Sequence, residues 1–261
     1  PIWWTLRNIL PKENNILGKL AEIRASCQVK QGGQRSGWRA WLQHIFIEDM
    51  MVHHVDLLRY ATNMEIVKIQ ARVYTPNYSN WLGSSTVNAN FTLTPKGMEL
   101  EENEYINCSY YGSWQSRGIH NNWVDSFEFY GENGAIFVKP PKKPTKSAWE
   151  QPEELPMPLA GESPGTKICA YIHDDGNLEK TIVQSIEKQY NIENNPHNYY
   201  DQMYILEEFS KCMDSRGKKQ PMMNFEEALK SFVVTRGAIL SGQREKTIWL
   251  PQYWYKPIYE K

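Results

Sequence analysis

Asp49, His53 and Asp56 stand at i, i+4 and i+7 in the run Asp49-Met50-Met51-Val52-His53-His54-Val55-Asp56. In a helix, at about 100° per residue, they fall within a stripe roughly 60° wide. Met51, Val55 and Leu58 point the other way, towards a core. Two carboxylates around an imidazole can bind hydroxyls, move protons or hold a metal ion. Histidine suits proton transfer because its unperturbed pKa is about 6.5. The same residues also fit a plainer account: Asp49 as an acid favoured at a helix N-terminus by the dipole, and His53 and His54 as satisfied, partly buried histidines. A metal site is the poorest of the readings, because nothing nearby supplies a further ligand set.

Two other groups carry polar chemistry. Gly112-Ser113-Trp114-Gln115-Ser116-Arg117-Gly118, followed by His120-Asn121-Asn122-Trp123, leaves one strand and turns towards the next. Polar and aromatic loop residues on a rigid sheet commonly line sites, although an aromatic-anchored hairpin accounts for them equally well. Trp38-Arg39-Ala40-Trp41 precedes the histidine helix. The Arg39 fork can read hydroxyl or carboxylate groups bidentately; a solvated arginine is the commoner case. No GxGxxG, GxxxxGK[ST] or GxSxG motif is present, so nothing marks a nucleotide or hydrolase site.

These groups need elements to hold them. Residues 1–20 predict one or two short helices ending near Leu17-Gly18. Residues 19–30 alternate as a strand, with Leu20, Ile23, Ala25, Cys27 and Val29 facing inward. A Gly/Ser/Gln loop follows at 31–37. The helix with the stripe is expected over 49–62, at the sheet's edge, with Asp49 in its first turn. Strands follow at 65–75, 84–94, 99–114 and 126–140, the last folded at the tight hairpin Gly131-Glu132-Asn133-Gly134. Short links favour antiparallel pairing. Residues 140–165 read as a surface excursion, and 166–190 as a strand and part of a helix. A helix is expected over 195–216, with Tyr200, Met203, Tyr204, Leu206 and Phe209 at helical spacing. Another covers 224–245, capped by Asn224 with Glu227 three residues on. A short strand at 247–251 closes the chain. The sum is an α+β fold: an open, mainly antiparallel β-sheet of about six strands with helices packed on one face.

At 261 residues the chain is long enough for one large domain or two small ones. A formal net charge of −1 offers no electrostatic capture of nucleic acid or anionic membrane. Aromatics reach 13%, with 10 Trp and 15 Tyr, which suits a sugar-facing pocket, a subunit interface or an aromatic β core. Cys27, Cys108, Cys169 and Cys212 are far apart with no CxxC pair, as expected of reduced thiols in a cytoplasmic protein. No apolar run approaches the ~20 residues of a membrane span. The chain opens at Pro1 rather than a methionine, which suggests a preceding segment.

The pattern Asp-x-x-x-His-x-x-Asp with Leu57-Leu58-Arg59 and a strand behind it resembles the second-domain motif of the glucose–fructose oxidoreductase / inositol dehydrogenase / MocA family. The segment from Gly112 through the Gly131–Gly134 hairpin is similar to that family's sheet, and 207–251 to its C-terminal helical pair and last strand. The resemblance covers roughly residues 15–251. It implies that 1–261 is a single substrate-binding and oligomerisation domain. The family's N-terminal Rossmann domain, with its Gly-rich loop and Glu-Lys-Pro segment, has no counterpart in this sequence. By the same resemblance, Asp49 and His53 map onto substrate-binding and proton-handling positions, and Asp56 onto a more structural one. A glycine often stands where this chain has Met51.

What the resemblance implies is a part of an NAD(P)-dependent oxidoreductase acting on a sugar, cyclitol or similar polyol. NAD or NADP would bind the full-length protein and not this chain alone. His53 and Asp49 are the expected catalytic pair, with Arg39, Trp38, Asp56, Trp114, Arg117 and His120 around the substrate. The expected partners are a small polyol and further copies of the chain, as a homodimer or homotetramer through the open sheet face, with no nucleic acid, membrane or metal. The alternatives are a non-enzymatic sugar-binding or assembly module lacking the redox half, and a structural subunit that joins full-length homologues.

Overall fold

Alternating apolar residues build one open sheet. The computed structural model describes residues 2–11, 17–30, 37–96, 105–117, 126–139, 167–172 and 201–251. Its strands are β1 (Leu20–Gln28), β2 (Met64–Tyr74), β3 (Thr86–Pro95), β4 (Ile106–Ser113), β5 (Phe127–Gly131), β6 (Gly134–Lys139), β7 (Lys167–Ile172) and β8 (Ile248–Trp249). Their order is β7-β6-β5-β1-β4-β3-β2-β8. The described sheet therefore has eight strands where about six were expected; short β8 and late β7 extend it at both ends. All neighbouring pairs are antiparallel except β1 with β4, which run parallel with Glu22 opposite Asn107 and Gln28 opposite Ser113. The Gly131–Gly134 hairpin joins β5 to β6 as its residues suggest.

The helices are α1 (Ile2–Ile9), α2 (Val52–Thr62), α3 (Asp201–Asp214) and α4 (Phe225–Arg244); α1, α2 and α4 pack together on one face of the sheet. On the covered face, Ile23, Ala25 and Cys27 of β1, Val87, Ala89 and Phe91 of β3, and Cys108 and Tyr110 of β4 are all buried. Trp3 of α1 meets Phe127 edge-on at 4.8 Å. Two glycines of α4 let it approach β2: a Cβ on Gly237 would strike Leu250, and one on Gly242 would press on Val73. The α2 helix lies over β4 and β5, where His54 packs on Tyr110 and Phe127. This corrects the expected position at the sheet's edge.

The stripe-bearing helix also starts earlier than its composition suggests. Helical turns begin at Ile45, and Ile47–Met51 form a π-helical turn that runs into α2. The reason is burial. Ile45, Phe46 and Ile47 are fully enclosed, so the apolar run ahead of Asp49 is core rather than approach loop. Other boundaries follow the sequence closely. Asn224 caps α4, its side chain accepting from the Glu227 backbone N–H at 3.0 Å. Asn63 ends α2 in the left-handed region, at φ 56°. In α3, by contrast, Leu206 and Phe209 are exposed, so their helical spacing does not mark a buried face. The segment 140–165, Tyr200 and the start proposed for β4 at 99 lie outside the described residues.

The uncovered face is more polar than an aromatic association surface would be. Its outward positions carry Asn88 and Asn90 on β3, Asn107 and Ser109 on β4, and Gln70 and Arg72 on β2. Among them sit Tyr111 and Tyr130. Arg24 lies 4.9 Å from the Tyr130 ring, and Arg72 lies 5.7 Å from the Tyr74 ring.

Candidate functional site

One end of the sheet collects the residues with chemistry. There β1, β2 and β4 end and β3 begins, and the strand ends are tied together. Thr86 and Ser113 share a hydroxyl hydrogen bond of 3.0 Å. The Trp114 N–H donates to the Ser85 carbonyl at 3.0 Å. The loop before β3 is tied to the segment leading into the π-helical turn: Ser84 N–H donates to Gln43 O at 2.8 Å. Gly83 makes that approach possible, since any Cβ there would collide with the Leu42 and Gln43 backbone. Gly112 does the same for the helix, its missing Cβ leaving room for the Phe46 ring.

Arg39 and Asp49 form the centre. Arg39 sits on the 3₁₀ turn Trp38–Trp41 and Asp49 in the π-helical turn. The Arg39 Nε donates to Asp49 Oδ2 at 2.8 Å, and Nη2 to Oδ1 at 3.4 Å. The guanidinium carbon lies 4.3 Å from the Trp38 ring and 6.0 Å from that of Trp114. Trp114 is buried, with Trp81 tilted at 5.6 Å and Phe46 edge-on at 6.2 Å. Trp38 is exposed. The result is a fixed guanidinium–carboxylate pair between an open indole and a buried one.

His53 and His54 have opposite surroundings. His54 is 2% exposed, and its Nδ1 lies 2.6 Å from the Tyr110 hydroxyl. Burial, with the neighbouring thiols of Cys27 and Cys108, pushes the Tyr110 phenol well above its usual range. The phenol therefore keeps its proton and is the natural donor to Nδ1. His53 is exposed and makes no hydrogen bond or ion pair among the described residues. It stands one helical turn beyond Asp49, whose carboxylate is held by Arg39 rather than turned onto the imidazole.

Asp56 belongs to a different group. It accepts a hydrogen bond from the Ser231 hydroxyl of α4 at 2.8 Å. Ser231 Oγ in turn accepts from Arg59 Nη1 at 2.8 Å. Arg59 is buried and binds Glu65 through two nitrogens, at 2.9 and 3.1 Å. It also meets Glu227 Oε2 at 2.7 Å. Lys96 and Lys230 close the network on the same two carboxylates. Burial opposes the charge on Glu227, but the Lys96 hydrogen bond and the charges of Arg59, Lys96 and Lys230 outweigh it and hold the carboxyl at about 2. This network ties α2 and α4 to the start of β2. Sequence reasoning passed over Arg59, Glu65 and Tyr110. The signal available for Glu65 was a charge at an inward position on a strand.

Arg117 is exposed at the end of β4. Its guanidinium lies 4.5 Å from the Tyr78 ring, and Nη2 donates to the Tyr78 carbonyl at 3.4 Å. His120 lies outside the described residues. The structure thus brings together Trp38, Arg39, Asp49 and Trp114, puts His53 one turn away, and sets Asp56 in the ion network. Among the described residues no three His, Cys, Asp or Glu side chains are placed to hold a metal ion. No described helix is long and apolar enough to cross a membrane.

Solved structures share this fold. The chain superposes on an aldose–aldose oxidoreductase from Caulobacter crescentus complexed with glycerol, with a TM-score of 0.61 and 12% identity, over 95% of this chain and 60% of that one. An oxidoreductase from Agrobacterium radiobacter in complex with NAD+, L-tartaric acid and magnesium gives 0.60 at 14% identity, over 96% and 62%. A levoglucosan dehydrogenase in complex with NADH gives 0.60 at 15% identity, over 95% and 63%. This chain thus spans about 60% of the length of the structures it matches. No family model matches the sequence, and no curated protein does.

Proposed function

We propose that this chain is the substrate-binding and oligomerisation part of an NAD(P)-dependent oxidoreductase of the glucose–fructose oxidoreductase / inositol dehydrogenase / MocA family, acting on a sugar, cyclitol or similar polyol. The observation that carries the reading is His53, exposed and without a protein partner among the described residues, one turn from the Arg39–Asp49 pair. The fold shared with oxidoreductases supports it.

The sequence offers no GxGxxG loop for a dinucleotide, and two of the described helix starts are acidic. The π-helical turn has Glu48 and Asp49 in its first turn, and α4 has Glu226 and Glu227. Such acids repel a pyrophosphate where a Gly-rich loop would attract one. The nicotinamide, which supplies the hydride acceptor, would therefore be held outside this chain. What the chain supplies is binding and proton handling. Trp38 offers a ring face for the carbon skeleton, and Arg39 presents N–H donors to hydroxyl oxygens. The exposed His53 imidazole takes the hydroxyl proton as general base. Asp49 fixes the guanidinium so that the donors keep one direction.

The test is a titration of the chain with myo-inositol, D-glucose and D-sorbitol, followed by tryptophan fluorescence. A saturable change that Arg39→Gln weakens supports the reading. No response to any polyol at millimolar concentration counts against it. The alternative is a binding or assembly module that lacks the redox half. The coding sequence upstream of Pro1 separates the two: a Rossmann segment with a Gly-rich turn and Glu-Lys-Pro supports the enzyme.

A further inference from the structure

The pairing of Arg39 with Asp49 bears on which polyols the site accepts, and the argument rests on the polyol reading above. A free guanidinium beside an aromatic wall is a good receptor for a carboxylate, which it grips with two parallel N–H donors. Here one of the two edges that could do this is occupied: Nε and Nη2 hold the two Asp49 oxygens at 2.8 and 3.4 Å. Both side chains are partly shielded, at 28% and 11% exposure. Their charges therefore cancel in place, and an arriving anion meets a carboxylate as well as a guanidinium. The remaining nitrogen, Nη1, makes no hydrogen bond among the described residues, and Trp38 at 4.3 Å holds the guanidinium plane. The N–H donors left on Nη1 and Nη2, with no net charge behind them, suit neutral hydroxyls. Arg117 is bound to the Tyr78 ring and carbonyl, and Arg117 and Lys30 are both exposed to solvent at this end, where screening weakens their pull.

We propose that Asp49 is a specificity-determining residue: by neutralising Arg39 it makes the site select uncharged polyhydroxyl ligands over sugar acids. Removing the Asp49 charge while keeping its shape frees the guanidinium and turns the same site into a carboxylate receptor.

The experiment uses the whole chain and four probes, myo-inositol and D-glucose against D-glucuronate and D-gluconate, with calorimetry and tryptophan fluorescence as readouts. The wild type is expected to bind the neutral pair at least about tenfold more tightly than the acids, and Asp49→Asn to reverse that order. The size follows from an opposed charge a few ångströms away at a partly exposed site. Adding Arg39→Gln to Asp49→Asn should remove the reversal. A wild type that binds the acids as tightly as the polyols overturns the proposal without need of any variant. So does an Asp49→Asn chain whose preference is unchanged. Failure of the polyol reading itself looks different: neither class of ligand binds the wild type, and the proposal falls with it.

Discussion

In an oxidoreductase containing this chain, His53→Ala is expected to lower kcat by roughly 10²–10⁴-fold, the usual contribution of a general acid–base group. Cofactor affinity should stay nearly unchanged, which steady-state kinetics against NAD(P) concentration will show. Full turnover in that variant would return His53 to the status of a surface histidine. His54→Ala is expected to act on stability instead, because it leaves the buried Tyr110 hydroxyl without its 2.6 Å partner. A loss of about 1–3 kcal/mol in urea unfolding would mark that role. The two histidines are adjacent in the chain, and the sequence offered the satisfied, partly buried reading for both and the functional one for His53. Periodicity identified the stripe and the core positions Met51, Val55 and Leu58, all three buried. What it could not supply was the partner of each polar group. The Arg39–Asp49 contact joins a 3₁₀ turn to a helix ten residues away, and nothing in a helical wheel encodes that. Nor does it give the Asp56 bond to Ser231, 175 residues distant.

At the scale of elements, the ion network around Arg59 sets how α2, α4 and β2 hold together. Arg59→Ala should cost about 3–5 kcal/mol, since it removes the buried cation that joins Glu65, Glu227 and Ser231 and leaves the two carboxylates to Lys96 and Lys230 alone. Thermal or denaturant unfolding measures this directly. The pH dependence has a definite sign. Glu227 titrates at about 2 in the folded chain against an ordinary 4.5, so the unfolded state binds its proton first as pH falls. Its contribution is fully present above the unfolded value and is lost as pH drops from about 4.5 towards 2. Glu227→Gln should flatten that part of the unfolding curve. Strands β2 and β3, helix α4 and its cap, and the β5–β6 hairpin were readable because alternation, capping and turn chemistry are local signals. The early start of the stripe helix was not, because the short apolar run Ile45-Phe46-Ile47 is compatible with a buried loop, strand or helix until something packs on it. The exposed Leu206 and Phe209 of α3 show the reverse error, in which helical spacing is present without a core to face.

Among the described residues, helices cover one face of a broad sheet and leave the other open. We expect light scattering at micromolar concentration to give a dimer or tetramer, with the uncovered face as the contact. Because that face carries Asn88, Asn90, Asn107 and Ser109 as well as Tyr111, the contact should be wet and rich in hydrogen bonds. A clean monomer would count against it. Calorimetry of the chain alone with NAD or NADP should show no micromolar binding, because the sequence offers no Gly-rich loop to seat a pyrophosphate at a helix N-terminus. The parallel pairing of β1 with β4 has a further consequence, for the order of events while the protein is being made. β1 lies between β4 and β5, yet Glu22 must wait for Asn107, about 85 residues downstream, and Leu20 for Gly131. At roughly 5–20 residues per second that wait is on the order of ten seconds. Throughout it, a strand with Ile23, Ala25 and Cys27 on one side has neither neighbour. The β2–β3 hairpin can form early, but the middle of the sheet cannot close until β5 is made, and β6, β7 and β8 then extend the ends. A newly made chain is therefore most open to chaperones and to mispairing before Gly131 leaves the ribosome, and stalling synthesis on either side of that residue would show it as a step in protease resistance.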